Sequence, residues 1–195
     1  WETAHRFARD VMRPAGATLD KMPAADVIAR DSVLWDVFRA HRELGLGSAE
    51  TNADLSVHQR VLLRCILGEV MGWGDSGLAI SLGVANFPTM MAQMSRNPAL
   101  VERFPAGTLG CWAITEPDHG SDQINFDGVL KHPNGSANRP NCVARRDGNH
   151  FVISGQKSAW VSNGTIAEAA ALFCSVDMGA GQLGAGVFVV PLNEG

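Results

Sequence analysis

The 195-residue chain is short of several things that would each assign it to a class. It has no uninterrupted apolar run of membrane-spanning length and no charged-then-apolar leader, so neither a spanning helix nor a signal peptide is read from it. Because it begins at Trp1 rather than Met, a leader removed earlier is compatible with it. A basic cluster is also missing. Arg145-Arg146 is the only adjacent basic pair and the formal charge is −4, which argues against nucleic acid as a partner. The four cysteines, Cys65, Cys111, Cys142 and Cys174, form no CxxC pair, and no His, Cys or carboxylate set has metal-ligand spacing. Free, buried thiols in a reducing compartment are expected, with a disulfide pair as the minority alternative. There is no internal repeat. What the chain has is 46% apolar and 18% charged residues, a composition that excludes disorder.

Two patterns divide it. Up to about residue 104 the apolar period is helical. Ser56-Val-His-Gln59 makes a capping box, followed by Val57, Val61, Leu62, Cys65, Ile66 and Val70 at helical spacing, which is expected to be a core stripe. Leu34, Phe38 and His41 predict a second amphipathic helix closed by Gly45, with His41 a half-buried surface histidine. Gly77 to Pro88 is apolar on all sides, so it is buried or lines an apolar cavity. Asn97-Pro98 has the cap-then-proline order of a helix start. After Pro105 short β-rich runs take over: Thr108 to Thr115, Cys142 to Arg146, Phe151 to Ser154, Ala159 to Ser162, Ala171 to Val176 and Val187 to Val190. Asp147-Gly148 between two of them signals a hairpin. Lys131 to Pro140 is rich in Pro, Asn and Gly and reads as a surface loop.

Two segments carry the chemistry. In Trp112-Ala-Ile-Thr-Glu-Pro-Asp-His-Gly-Ser-Asp122, a hydroxyl, a stiff Glu-Pro corner and a Gly-Ser turn follow an apolar strand. Thr115 offers a hydrogen bond to a ring edge, Gly120 permits close backbone approach, and Ser121 brings donors suited to phosphate. Some forty residues on, Gly155-Gln-Lys-Ser-Ala-Trp-Val-Ser-Asn-Gly164 supplies an indole, Trp160, able to stack, and Ser162 on the same strand face. Taken singly, Thr115, Ser121 and Ser162 are as well explained as turn caps, and Trp160 as core.

Taken together, these segments resemble the acyl-CoA dehydrogenase family, in which a TEPxxGSD loop and a GQKxWITNG-like strand hold the isoalloxazine of FAD. The resemblance extends over Phe7 to Asp20, Glu69 to Gly83 and Asn97 to Phe104. It implies an α+β fold: an all-α domain over residues 1–106, then an antiparallel, barrel-like middle β-domain over 107–195, incomplete here. The C-terminal helical bundle, which carries the family's catalytic Glu, is expected to lie outside the chain. No catalytic base is therefore assigned, and Glu116 is read as a loop-fixing acceptor. The implied cofactor is FAD, held by Trp112, Ala113, Ile114, Thr115, Gly120, Ser121, Trp160, Val161 and Ser162, with Ser121 also near the substrate. The implied reaction is α,β-dehydrogenation of an acyl-CoA thioester. Implied partners are an electron acceptor such as an electron-transfer flavoprotein and further copies of the chain, as a dimer or tetramer, in the cytoplasm or the mitochondrial matrix of a eukaryote. A flavin monooxygenase or an acyl-ACP oxidase on the same fold is the rival within enzymes, and a non-catalytic association module the rival outside them. The segment departs from the family by one extra residue between Lys157 and Trp160, which a bulge or a shifted register must absorb. His119 also stands where a small residue is common.

Overall fold

The computed structural model describes residues 1–46, 54–118, 120, 141–158, 160–179 and 182–192. The loop expected over Lys131 to Pro140 lies outside them. By contact the chain divides into two compact units, Trp1–Gly83 and Val84–Gly195.

The first unit is helical. Helix α1 (Glu2–Phe7) passes through a π-helical turn (Ala8–Met12) into α2 (Arg13–Leu19), and α3 (Ala24–Val27) follows. Helix α4 (Val33–Leu44) starts at Ser32, whose side chain accepts from Leu34 N–H. It ends at Gly45, whose φ of 59° is the left-handed turn that glycine takes without a steric penalty. Helix α5 (Val57–Gly74) opens with the expected capping box, in which the Ser56 and Gln59 side chains each accept from the other's backbone N–H. His41 is half-buried against Phe7, and burial lowers its pKa from the usual 6.5.

The stripe on α5 is a correction. Val70 is buried, but Val57, Val61, Leu62 and Cys65 are exposed, so the first turns are not core. Helical spacing reveals that an apolar face exists, not that anything covers it. The next helix, α6 (Ser76–Ala85), buries Leu78, Leu82, Val84 and Ala85 while Ile80 stays exposed, so it is less uniformly enclosed than its composition suggests.

The second unit pairs two helices, α7 (Phe87–Met94) and α8 (Pro98–Arg103), with a five-stranded sheet. Asn97 caps α8 by accepting from Ala99 N–H at 3.1 Å. By contact these two helices fall with the sheet, on the same side of the division at 83/84. The strands are β1 (Gly110–Ala113), β2 (Val143–Asp147), β3 (His150–Ser154), β4 (Ala169–Gly179) and β5 (Gln182–Pro191).

The run Ala169-Ala-Ala-Leu-Phe-Cys-Ser-Val176 is apolar on both faces, as a central strand must be. β5 pairs antiparallel along one edge of β4. The other edge is shared in tandem by β1, opposite Ala169 to Leu172, and β2, opposite Ser175 to Asp177, both parallel. β3 pairs antiparallel with β2 through the expected hairpin, with Gly148 at φ 58°.

The class is α+β as expected, but the antiparallel barrel is corrected. Among the described residues the sheet is mixed and open. Short hairpins made β2–β3 and β4–β5 antiparallel, whereas the long excursions before β2 and β4 return the chain in the same direction.

Strand alternation gives the sheet two different faces. One packs on α7 and α8 through Trp112, Ala169, Phe173 and Val189, with Ala92 and Phe104 opposite. The other gathers Cys111, Ala113, Ala170, Leu172 and Val190, continuing to Cys142, Ala144 and Cys174.

Candidate functional site

The site forms where the chain after β1 meets the chain after β3. Beyond Ala113 the backbone leaves the sheet, and Glu116, fixed ahead of Pro117, turns inward and is 2% exposed. Its carboxylate accepts from Asn141 N–H at 2.5 Å, Cys142 N–H at 3.0 Å and Lys157 Nζ at 2.8 Å. Lys157 also donates to the Ile114 carbonyl at 3.2 Å. The Lys157 side chain is 11% exposed and that of Glu116 fully covered, so this is a nearly dry ion pair. A buried carboxylate is tolerable only when its oxygens are saturated by donors, and three short bonds do that here.

Around this clasp the second segment is laced to the first. Ser158 N–H donates to the Thr115 carbonyl at 2.9 Å, and Asn163 Nδ2 reaches the Gly110 carbonyl at 3.2 Å. Gly155, at φ 144°, passes so close to the start of β2 that an added Cβ would lie 2.4 Å from Cys142 Cα. Only glycine fits that crossing. Asn163 holds φ 64°, the left-handed region that asparagine tolerates better than most residues, and turns the chain back toward β4.

A cavity of about 410 Å³ opens beside this lacing. Its walls are Cys111 and Ala113 of β1, Val161 and Gly164 of the second segment, and Ala170, Leu172, Val190 and Leu192 of the sheet; Lys157, Ser158 and Thr165 form its polar part. Burial raises the Cys111 thiol to about 11. Behind the clasp, Cys174 lies 3.7 Å from Cys142 and is pushed up to about 12, first by burial and then by its neighbour. Cys111 and Cys174 therefore stay protonated thiols at neutral pH. Cys65 is exposed, contrary to the expectation that all four cysteines are buried.

The structure treats the expected residues unequally. Ala113 and Val161 line the cavity. Ile114 and Thr115 act through their carbonyls, which receive Lys157 and Ser158. Trp112 points to the opposite face, edge-on to Phe87 at 4.8 Å and 6.1 Å from Phe173. Its Nε1–H is buried with no acceptor among the described residues. Trp160 is 78% exposed. The strand expected over Ala159 to Ser162 is corrected: Trp160 to Ser162 run irregularly, and Ala159 lies outside the described residues. Lys157 and Ser158 are anchored to β1's extension, and the irregular stretch lies beyond them. An added Cβ at Gly120 would meet nothing within 4 Å among the described residues. Ser121 and His119 lie outside the described residues. Lys157 had been assigned no role, although a lysine two residues after a forced glycine and a glutamate before a proline were signals that each needed a partner.

Known proteins agree with this architecture. Residues 111–195 match the middle domain of acyl-CoA dehydrogenases. The human mitochondrial short-chain specific acyl-CoA dehydrogenase is 27% identical over 197 residues, covering 98% of this chain and 42% of that enzyme. The chain is thus similar to acyl-CoA dehydrogenases over nearly its whole length, and its C-terminal part matches their middle domain. Among solved structures, butyryl-CoA dehydrogenase from Megasphaera elsdenii superposes with a TM-score of 0.64 at 18% identity, covering 98% of this chain and 48% of that one. The flavoprotein nitroalkane oxidase gives 0.67 at 20% identity, with 96% and 46% covered. At those identities the likeness speaks for the fold alone. The chain spans less than half the length of each of these relatives. Among the described residues no cluster of ligands suits a metal, and no helix is long and apolar enough to cross a membrane.

Proposed function

We propose that the complete polypeptide is an FAD-dependent acyl-CoA dehydrogenase that introduces an α,β double bond into an acyl thioester. The observation that carries this reading is the lacing of the two motif segments: Lys157 to Ile114 and Glu116, Ser158 to Thr115, Asn163 to Gly110. Residues 110–116 and 157–163, forty or more apart in sequence, thereby share one neighbourhood.

The residues present fit a flavin. A large indole at position 160 stands 78% exposed, and exposed Trp surface is costly unless a partner covers it. Among the described residues nothing stands where a side chain at Gly120 would be, and Trp112 keeps a buried N–H without an acceptor. FAD, when bound, supplies the hydride acceptor for the reaction. Trp112, Ala113, Ile114 and Thr115 would hold it from the first segment, with Gly120 and Ser121 at its phosphates, and Trp160, Val161 and Ser162 from the second. Ser121 would also face the thioester. Glu116 is not the base, because its carboxylate already receives three donors, one of them an ammonium. The base belongs to sequence outside these residues. By the same reading, the protein passes electrons to an acceptor such as an electron-transfer flavoprotein, assembles as a dimer or tetramer, and works in the cytoplasm or mitochondrial matrix.

The test is anaerobic. Adding short, medium, long and branched saturated acyl-CoAs to the full-length protein bleaches its flavin with at least one of them. The likeness to a flavoprotein oxidase keeps an oxygen-using enzyme on this fold as the second reading. Absence of bleaching with every acyl-CoA, together with oxygen uptake on adding a reductant, establishes that second reading instead.

A further inference from the structure

The Glu116–Lys157 pair is more than a contact between two surfaces. Three chain segments meet at it: the end of β1 through Ile114 and Glu116, the start of β2 through Asn141 and Cys142, and the segment after β3 through Lys157. Each oxygen of Glu116 is used, Oε2 by Asn141 and Oε1 by Cys142 and Lys157. Gly155 locks the same junction from behind by its approach to Cys142. The residues proposed to hold a flavin flank the clasp, Thr115 one residue before Glu116 and Trp160 three residues after Lys157. Beyond the clasp, Trp160 to Ser162 of the second segment run irregularly.

We infer that Glu116 and Lys157 are positioning residues, whose buried ion pair sets the spacing and register of the two flavin-holding segments without touching the cofactor. This rests on the flavin reading above. The ammonium is the part that works across the gap: it donates at once to a carbonyl of the first segment and to the carboxylate that anchors β2. Methionine fills the volume of Lys157 but donates nothing; arginine keeps the charge with a different fork. Glutamine keeps the shape of Glu116 but turns one acceptor into a donor facing other donors.

The experiment uses full-length protein, wild type and the variants E116Q, K157M, K157R and the charge-neutral double E116Q/K157M. FAD affinity is read by fluorescence quenching and flavin environment by visible circular dichroism, at a temperature where far-ultraviolet dichroism shows every variant folded. Melting temperature is read in parallel. The single charge-removing variants weaken FAD on the order of 10-fold or more and alter the visible dichroism, as a misplaced set of contacts does. The double variant, free of an unpaired buried charge, recovers melting temperature but neither FAD affinity nor the flavin spectrum, and K157R recovers part of both. If a single variant does not fold, the double variant and K157R decide. A double variant with wild-type affinity and spectrum overturns the inference and leaves the pair a matter of stability only. Wild-type protein that takes up no FAD overturns the flavin reading and the inference together, whereas wild-type binding matched by every variant overturns the inference alone.

Discussion

Each motif segment carries one tryptophan, and the two are kept in opposite ways. Trp112 sits on a regular strand, wedged edge-on to Phe87 and close to Phe173 on the face covered by α7 and α8. Trp160 sits on an irregular stretch with 78% of its surface exposed. The same residue type therefore answers to different pressures. Trp112 is held by packing and contributes to folding. Trp160 contributes little to folding and is left accessible, and on the proposed function it stacks on the flavin. The difference extends to the backbone: the first segment leaves a regular strand and ends in the buried Glu116, whereas the second is tied by Gly155, Lys157 and Ser158 before the indole and Asn163 after it.

The largest effect falls on the packed side. Replacing Trp112 with Ala in the full-length protein lowers unfolding free energy by about 3–5 kcal/mol, measured by denaturant titration. Trp112→Phe changes it by less than about 1 kcal/mol, because the ring is kept and the N–H it deletes has no acceptor among the described residues. An equally large loss in both variants shows that the indole N–H has a partner and that Trp112 is not simply core.

Next in size is the anchor of the second segment. Gly155→Ala places a Cβ 2.4 Å from Cys142 Cα at a φ of 144°, and strain plus overpacking cost about 2–4 kcal/mol. Gly120→Ala, with nothing among the described residues within 4 Å of the new atom, costs less than about 1 kcal/mol and serves as the control. Equal melting temperatures for the two glycine variants contradict the close crossing.

How much of this was legible beforehand follows from the range of the forces. The caps at Ser56, Asn97 and Gly45 and the Asp147-Gly148 hairpin were readable because each is settled within four residues. Glu116 was readable as a loop-fixing acceptor because an acid before proline in an apolar context needs donors. Its three donors were not, since Asn141, Cys142 and Lys157 lie 25 to 41 residues away. The parallel pairing of β4 with β1 and β2 was equally hidden, because strand alternation looks the same whichever neighbour runs alongside. The exposed stripe on α5 misled for a related reason: periodicity defines a face and says nothing of its cover.

A smaller, pH-dependent effect sharpens the contrast in the first segment. Burial raises Cys111 from 9.0 to about 11 and Cys174 from 9.0 to about 12, so the folded state prefers the neutral thiols. A raised folded pKa gives stability that is complete below the unfolded value of 9.0 and is lost as pH climbs from there through the folded values. Melting temperature is therefore expected to fall between pH 9 and 11, and to fall less in Cys111→Ser or Cys174→Ser measured against its own value at pH 8. At pH 8 a thiol reagent modifies Cys65 alone in the native state and the other three only on unfolding, as mass spectrometry of the labelled protein checks.

The smallest effect on folding belongs to Trp160, and it carries the central claim that the two laced segments form one flavin-holding face. The direct measurement is an FAD titration of full-length Trp160→Ala beside wild type, with unfolding free energy determined on the same samples. Stability changes by less than about 0.5 kcal/mol, because the indole is exposed, while FAD binding weakens by roughly 1 kcal/mol or more through lost stacking. Unchanged FAD affinity and flavin spectrum in that variant contradict the account.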